Sequence, residues 1–234
     1  MAKEVIILAG GLGTRLRSVI SDLPKCMAPV AGKPFLTYVI NHLLKEGVQK
    51  FIVSVGYKNE MIVDFINTQH STLDTQYSIE EEPLGTGGAI KLACSKATEK
   101  TVLIVNGDTL FTIDLNKLVG FHGMCGADCT LSLKSMQNFD RYGVVELNKD
   151  YSIKSFHEKK FYETGLINGG MYALHVQNFL NENLPEKFSF EKQYLENYFH
   201  KRRMYGVIQD KYFIDIGIPE DYERAQKELK TLNF

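Results

Sequence analysis

Apolar runs in the first half of the chain follow two alternating patterns. Short continuous runs at 5–8 and 102–105 are typical of strands buried on both faces of a parallel sheet. Between such runs, apolar residues recur three and four positions apart, which favours helices that pack one face against a sheet. This alternation predicts a doubly wound α/β sheet. The predicted strands are 4–9, 51–55, 76–80 and 101–105, and the predicted helices are 35–46, 58–68 and 87–97.

The pattern changes after about residue 125, where shorter strands with alternating apolar residues begin. We expect these strands to form an antiparallel addition to the same sheet. No linker, repeat or low-complexity segment interrupts the chain, so the simplest prediction is one domain, 1–234, with halves of about 1–125 and 126–234. The predicted elements of the second half are strands at 128–134, 142–147, 152–157, 169–174 and 212–217, mostly helical sequence at 176–202, and a helix from about 219.

Composition and charge exclude several classes of protein. The formal net charge of −1 argues against a generally basic surface, so we expect no nucleic acid partner, and an anionic ligand must be held by a local positive cluster. No apolar run approaches the length that spans a bilayer, and the N-terminus carries no signal-peptide core, so we expect a cytoplasmic protein without a membrane partner. The four cysteines and six histidines show no zinc-binding spacing.

A glycine-rich segment follows the first predicted strand and points to nucleotide phosphates. Glycines let backbone N–H groups approach an anion, and the guanidinium of Arg15 directly behind them suits two-pronged phosphate binding. The segment is not a P-loop, because no lysine stands at the required spacing. It is not a dinucleotide fingerprint either, because Leu16 stands where a third small residue is needed.

Two aspartates follow apolar strands and predict a metal site. Asp108 comes directly after the strand at 101–105, and Asp215 ends the apolar run that begins at Tyr212. In parallel α/β sheets, ligands gather beyond the carboxyl ends of the strands. Two carboxylates opposite a triphosphate form the hard-oxygen site that Mg²⁺ prefers, since this ion needs only one or two protein carboxylates. We therefore expect Mg²⁺ as the cofactor.

Eight motifs, taken together and in order, carry a family resemblance that runs from Ile6 to about Ala225. They lie at 8–16, 24–25, 82–88, 106–108, 142–145, 156–159, 168–170 and 213–217. With these motifs the chain resembles the sugar-1-phosphate nucleotidylyltransferase family. The resemblance implies a single-domain, Rossmann-like mixed sheet flanked by helices, of the GT-A-like nucleotidyltransferase type, with a small antiparallel sugar-binding part. The half at about 1–125 is then the nucleotide-binding half, and about 126–234 is the sugar-phosphate-binding half.

The same resemblance implies roles for individual residues. Arg15, Lys25 and Asp108 are implied as catalytic, and Asp108 and Asp215 as the Mg²⁺ ligands. The implied nucleotide-binding residues are Leu8, Ala9, Gly10, Gly11, Gly13, Thr14, Arg15, Lys25, Glu80, Glu81, Gly85, Thr86, Gly107 and Asp108. The implied sugar-phosphate-binding residues are Tyr142, Gly143, Glu158, Lys159, Asn168, Gly169 and Asp215, with Glu158 on sugar hydroxyls and Lys159 on the sugar phosphate.

The implied activity is the transfer of GMP from GTP to a sugar 1-phosphate, with release of pyrophosphate. The strings at 25–30 and 213–219 look most like enzymes that act on D-glycero-α-D-manno-heptose 1-phosphate and supply GDP-heptose for capsule or surface polysaccharide. Mannose 1-phosphate as acceptor, UTP or dTTP as donor, and a regulatory paralogue that only binds a nucleotide-sugar stay open as alternatives, as does a homodimer. A glycosyltransferase is disfavoured, because it would carry an Asp-x-Asp motif where this chain has Asn106, Gly107 and Asp108.

The choice of base rests on a pair of glutamates before Pro83. Guanine presents the N1–H and N2 amino donors together, and an ionised carboxylate can only accept, whereas an amide suits the pyrimidines. Thymidylyltransferases carry a glutamine five residues before the glycine that matches Gly85, and here that position is Glu80. A shift of one residue in the strand makes Glu81 the alternative. We expect GTP as the nucleotide.

Two positions depart from the family pattern. Cys26 follows Lys25 where relatives often carry Pro, Leu or Gln, and it is either a packing residue or a reactive thiol beside a lysine. The arginine that some thymidylyltransferases use near the sugar phosphate is missing, and Gln193 falls roughly at its place.

Overall fold

A mixed sheet with helices on both faces forms the protein. The structure, a computed structural model, describes residues 4–11 and 22–231. The strands are β1 (Glu4–Leu8), β2 (Pro29–Val30), β3 (Lys33–Pro34), β4 (Lys50–Val55), β5 (Asp74–Ile79), β6 (Thr101–Asn106), β7 (Thr109–Phe111), β8 (Cys129–Phe139), β9 (Val144–Leu147), β10 (Ile153–His157), β11 (Tyr162–His175), β12 (Met204–Ile208) and β13 (Phe213–Asp215). The α-helices are α1 (Phe35–Lys45), α2 (Asn59–Gln69), α3 (Gly85–Cys94), α4 (Leu115–Met124), α5 (Val176–Leu180), α6 (Glu196–Tyr198) and α7 (Pro219–Thr231).

The predicted parallel strands occupy the middle of the sheet. β1 pairs in parallel with β4 on one side and with β6 on the other, and β5 extends the parallel part beyond β4. Neighbouring residues of β1 alternate between two apolar cores, because Val5 and Ile7 face one side of the sheet and Ile6 faces the other. Helices α1, α2, α4 and α7 pack on the first side, and α3 and α5 on the second. The continuous apolar runs are therefore explained by burial on both faces.

The second half of the chain continues the same sheet with antiparallel strands, as the sequence predicts. β11 pairs antiparallel with β6 and carries β8 and β9, and β10 closes the hairpin with β9. β11 is much longer than the predicted strand at 169–174, because its first half is polar and half-exposed and so lacks a continuous apolar run. Within the described residues, the sheet has nine strands, and small two-stranded ladders β7–β13 and β2–β3 stand beside it.

The prediction of mostly helical sequence at 176–202 is wrong in part. Only α5, a π-helical turn at Phe190–Leu195 and α6 are helical there, and 181–189 is irregular. The irregular chain is held by backbone hydrogen bonds to the start of α3, where Phe188 N–H donates to Leu84 O (3.0 Å) and Gly87 N–H donates to Phe188 O (2.9 Å). β12, which pairs in parallel with β8, was not predicted. Its Tyr, Val and Ile residues favour a strand, but the run is short and a glycine interrupts it.

Two of the helices have clear local start signals. α4 begins after Asp114, whose carboxylate accepts a hydrogen bond from Lys117 N–H (3.0 Å), and α7 begins at Pro219, where a missing N–H costs nothing.

α7 has 13 residues, whereas a bilayer span needs about 20 apolar residues. No helix in the described ranges has the length and apolar character needed to cross a membrane.

One buried histidine gives the fold a pH-dependent term. His122 on α4 is 2% exposed, and its Nδ1 lies 3.0 Å from Thr130 Oγ1 on β8. Burial, assisted by the nearby charge on His175, lowers the pKa of His122 to about 4, and the opposing effect of Asp128 is smaller. His122 is therefore neutral in the folded protein at pH 5 to 7.

We expect His122→Asn to reduce the loss of stability between pH 7 and pH 5. In the unfolded chain histidine titrates near pH 6.5, so the unfolded state binds more protons in this window, and its protonation favours unfolding as the pH falls. At pH 5, His122 lowers the free energy of unfolding by about 2 kcal/mol. Denaturant unfolding at pH 7 and at pH 5 measures this difference. The exposed His200→Asn is the control, and an unchanged pH dependence in His122→Asn would contradict the prediction.

Candidate active site

The candidate site lies where the carboxyl ends of β1 and β6 meet the small ladder β7–β13. Asp215 pairs with Thr109 across this ladder, and Ile216 N–H donates to Asp108 O (3.1 Å). The two aspartates are thus backbone neighbours although they are far apart in the sequence. Lys25, at the start of a 3₁₀ turn (Lys25–Met27), reaches the same point. The topology therefore brings together three residues expected to act on phosphates.

An ammonium group joins the two carboxylates. Lys25 Nζ lies 2.5 Å from Asp108 Oδ2 and 3.3 Å from Asp215 Oδ1, and the three side chains are 16%, 31% and 24% exposed. Burial favours the neutral amine, but the charges of Asp108 and Asp215 outweigh it and raise the pKa of Lys25. Burial and the charge of Asp108 raise the pKa of Asp215, against the pull of Lys25. The centre therefore concentrates charge at a half-buried point, which is typical of functional sites.

The donor set at this centre suits a small divalent cation. The two carboxylates converge on one positive charge, that of the Lys25 ammonium. Among the described residues, no group of three or more Asp, Glu, His or Cys side chains is placed to hold a metal ion. A pair of carboxylates with no soft donor fits Mg²⁺, which keeps several of its waters, and does not fit a zinc site.

A cavity of about 360 Å³ opens on the β1 side of this centre. Most of the residues expected to bind the nucleotide line it: Leu8, Ala9, Gly10, Gly11, Lys25, Glu80, Gly85, Thr86 and Asp108. Gly13, Thr14 and Arg15 lie outside the described residues. Gly107 does not line the cavity. Its N–H donates to Leu8 O (2.9 Å), so it joins the ends of β1 and β6 instead.

Glu80, rather than Glu81, faces this cavity. Its Oε2 accepts a hydrogen bond from Leu84 N–H (3.0 Å), and its Oε1 lies 3.4 Å from the Ser54 hydroxyl. A Cβ on Gly10 would come within 2.7 Å of Glu80 Oε1, so only glycine leaves the carboxylate this position. Glu81 lies in the bend after Glu80, is exposed and does not line the cavity.

A second cavity, of about 690 Å³, lies on the other side of the aspartates. Asn106 lines both cavities, while Asp108 lines the first and Asp215 the second. The hairpin β9–β10 forms one wall, and a bulge in β11 after Asn168 forms another. Every residue of the expected sugar-phosphate set lines it: Tyr142, Gly143, Glu158, Lys159, Asn168, Gly169 and Asp215.

Sequence reasoning missed the contribution of the segment around the π-helical turn. Ser189, Glu191, Lys192 and Glu196 also line the second cavity. Gln193, the position considered for a missing arginine, does not line it, because its Oε1 accepts a hydrogen bond from Ser189 N–H (2.9 Å) and caps the turn. These four residues lie in or beside an irregular segment and a π-helical turn, and no sequence motif pointed to them.

Cys26 is a packing residue. Its side chain is 2% exposed, and Sγ contacts Ala9 O at 3.9 Å. Burial, with a smaller effect of the charge on Asp108, raises the pKa of this thiol to about 12. Because the thiolate is the reactive form, the reactive-thiol alternative is not supported.

Comparison with known proteins gives consistent matches over nearly the whole chain. The family model described as nucleotidyl transferase matches residues 4–231. A D-glycero-alpha-D-manno-heptose 1-phosphate guanylyltransferase from Aneurinibacillus thermoaerophilus is 52% identical over 227 residues, which cover 97% of this chain and 98% of that protein. The protein of the same name from Campylobacter jejuni is 47% identical over 219 residues, with 94% and 96% covered. The crystal structure of HddC from Yersinia pseudotuberculosis complexed with GMP-PN has a TM-score of 0.86 at 38% identity and covers 97% of this chain and 99% of that one.

Proposed function

The chain belongs to the nucleotidyl transferase family, and we propose that it transfers GMP from GTP to D-glycero-α-D-manno-heptose 1-phosphate and releases pyrophosphate. The observation that carries this proposal is the lysine–dicarboxylate centre between two cavities. A transferase of this kind must hold two anionic substrates with their reacting phosphates close together. Relatives over the full chain length are guanylyltransferases that carry this sugar phosphate in their names, which supports the proposed acceptor.

We assign the nucleotide to the smaller cavity and the sugar phosphate to the larger. Glu158 accepts hydrogen bonds from sugar hydroxyls, and Lys159 binds the sugar phosphate. The first cavity is lined by residues of the half at about 1–125, and most residues of the second belong to the half at about 126–234. This distribution supports one domain with a nucleotide half and a sugar-phosphate half.

The reaction requires positioning and charge neutralisation rather than a protein nucleophile. An oxygen of the sugar phosphate attacks the α-phosphorus of GTP, a P–O bond forms, and the bond from the α-phosphorus to the leaving pyrophosphate breaks. No general base is needed, because the attacking phosphate is already anionic. Lys25 binds the nucleotide phosphates and stabilises the charge that develops at the α-phosphorus, and Arg15 is the second positive group assigned to the nucleotide phosphates.

We propose that Asp108 and Asp215 hold Mg²⁺. Mg²⁺ held by these carboxylates would supply positive charge to neutralise the phosphates. Asp108 lines the nucleotide cavity and Asp215 lines the sugar cavity. Each carboxylate therefore faces a different substrate. The Lys25 ammonium contacts both carboxylates.

We propose that Glu80 recognises the guanine base by accepting its hydrogen bonds. One carboxylate oxygen already accepts the Leu84 N–H, and the other has a single long contact to the Ser54 hydroxyl, so it retains acceptor capacity. An ionised carboxylate offers acceptors to the guanine N1–H and N2 donors. The alternative donors, UTP and dTTP, present a donor flanked by acceptors and are less suited to this side chain.

The remaining alternatives have less support. Mannose 1-phosphate has less support as the acceptor, because the relatives that are 52% and 47% identical carry the heptose phosphate in their names. A regulatory paralogue would be expected to have lost Arg15, Lys25 or an aspartate, and this chain retains them all. We further propose that the enzyme is cytoplasmic, since GTP is its substrate. We also propose that it supplies GDP-heptose for capsule or surface polysaccharide and that it assembles as a homodimer.

A matrix of nucleoside triphosphates against sugar 1-phosphates tests the proposed function. We expect pyrophosphate release to be fastest with GTP and D-glycero-α-D-manno-heptose 1-phosphate, and to stop when EDTA removes divalent cations. Mannose 1-phosphate is the matched acceptor, because it has the same ring stereochemistry and lacks the additional carbon. Equal or faster turnover of mannose 1-phosphate, or of a pyrimidine triphosphate, would contradict the assignment.

Replacing either proposed metal ligand by its amide should abolish most activity without unfolding the protein. We expect Asp108→Asn and Asp215→Asn to lower kcat by at least about 100-fold, because a lost metal ligand removes several kcal/mol of charge stabilisation. Both residues lie at strand ends outside the cores, so the melting temperature should change little. The exposed Asp210→Asn is the matched control. Near-normal kcat in Asp215→Asn would rule out the two-carboxylate site.

Glu80→Gln should relax the preference for guanine. The amide keeps an acceptor for Leu84 N–H but places donors opposite the guanine donors, which costs about 1–3 kcal/mol. We expect kcat/KM for GTP to fall about tenfold or more, while kcat/KM for UTP or dTTP falls less or rises. Glu81→Gln is the control, since that side chain is exposed. An unaltered base preference in Glu80→Gln would defeat this account of base recognition.

A further inference from the structure

One hydrogen bond joins the walls of the two cavities. The Thr86 hydroxyl donates to Glu191 Oε2 at 2.7 Å. Thr86 lies in the first turn of α3 and lines the nucleotide cavity, whereas Glu191 lies in the π-helical turn and lines the sugar cavity. The two residues are 105 positions apart in the sequence. A side chain on the nucleotide side is therefore in direct contact with one on the sugar side.

The Thr86 hydroxyl has no proton left for a nucleotide. A hydroxyl group carries one donor and two acceptor lone pairs. Its proton is directed to Glu191 Oε2, and one lone pair accepts from Phe190 N–H at 2.9 Å. A phosphate oxygen needs a donor, so this hydroxyl can serve a phosphate only by releasing Glu191. The hydrogen bonding of Thr86 thus differs from the nucleotide-binding role that the family resemblance implies.

The backbone holds Thr86 and Glu191 together. Gly87 N–H donates to Phe188 O (2.9 Å), so the start of α3 is fixed to the segment that leads into the π-helical turn. A Cβ on Gly87 would come within 2.1 Å of the Phe188 ring, so this close approach requires glycine. The Thr86–Glu191 hydrogen bond is therefore built into the packing of two chain segments.

The Glu191 carboxylate is oriented from one side and open on the other. Its Oε2 accepts two hydroxyl donors, Thr86 at 2.7 Å and Ser189 at 3.0 Å. Within the described residues, nothing donates a hydrogen bond to Oε1. Glu191 is partly buried and lines the sugar cavity together with Glu158. A carboxylate that is fixed at one oxygen and free at the other is suited to accept a hydrogen bond from a ligand hydroxyl.

We infer that Glu191 is a sugar-hydroxyl acceptor and specificity-determining residue, and that Thr86 is its positioning residue. This inference rests on the proposed function, because it requires a sugar phosphate in the larger cavity. Glu158 and Glu191 then accept hydroxyls of the same sugar from different walls. The direction of each accepted hydrogen bond depends on the stereochemistry of the hydroxyl, so an oriented carboxylate discriminates between sugars.

Thr86→Val tests the positioning role, because it keeps the shape of the side chain and removes the hydroxyl. We expect KM for the sugar 1-phosphate to rise about tenfold or more, with KM for GTP and the Kd of a non-hydrolysable GTP analogue within about twofold of wild type. Thr86→Ser retains the hydroxyl and should restore the wild-type KM. Thr68→Val, at an exposed helical position, is the matched control.

Glu191→Gln tests the acceptor role with a panel of monodeoxy sugar 1-phosphates. In the wild type, loss of the hydroxyl that Glu191 binds should lower kcat/KM about tenfold or more. In Glu191→Gln, the penalty for the same deoxy analogue should shrink, because a hydrogen bond to a neutral amide oxygen is weaker than one to a charged carboxylate. Glu191→Gln also tests the inference if Thr86→Val fails to fold. The melting temperature of Thr86→Val shows whether that variant is folded.

The possible outcomes separate this inference from the proposed function. A wild type that turns over no sugar 1-phosphate overturns the proposed function and the inference with it. An active wild type in which Thr86→Val weakens binding of the GTP analogue, and leaves KM for the sugar phosphate unchanged, overturns the inference alone and makes Thr86 a nucleotide contact. Equal discrimination among deoxy sugars in wild type and Glu191→Gln overturns the acceptor role of Glu191.

Discussion

The electrostatic contact of Lys25 with Asp108 and Asp215 is the constraint around which the site is organised. Placing an ammonium and two carboxylates at a half-buried point is costly, because each charge loses part of its hydration. Such a cluster contributes little to stability compared with apolar residues of the same volume. A cluster of this kind is more typical of functional sites than of structural ones. The topology brings the cluster together, because the β7–β13 ladder holds both aspartates beside the end of β6.

The two cavities differ in how their walls are built. The cavity proposed for the nucleotide is formed by short segments at the ends of parallel strands, and each segment is local in the sequence. The cavity proposed for the sugar phosphate is formed by an antiparallel hairpin, a bulged strand and an irregular segment, which come from distant parts of the second half. We expect variation in this second group to change the acceptor while the Lys25–dicarboxylate centre stays the same. The arrangement is consistent with one fold that serves several sugar phosphates.

The segment at 186–191 has a larger role than its irregular structure indicates. It docks on the start of α3 through backbone hydrogen bonds, and it places Glu191 against Thr86. The glycines of the motif at 82–88 are accounted for in part by this docking, since a Cβ on Gly87 would collide with the Phe188 ring. A motif that looks local in the sequence therefore also connects two subsites of the folded protein.

Periodicity was enough to predict the α/β class, the parallel strands and the antiparallel addition, and most of the site residues that the family resemblance implied line the two cavities. These features depend on local patterns, such as an apolar run buried on both faces of a sheet or a glycine at a strand end. The choice of Glu80 over Glu81, the burial of Cys26 and the contact of Thr86 with Glu191 were decided only by tertiary structure. Each of these depends on contacts with residues that are remote in the sequence, and local patterns do not specify such contacts.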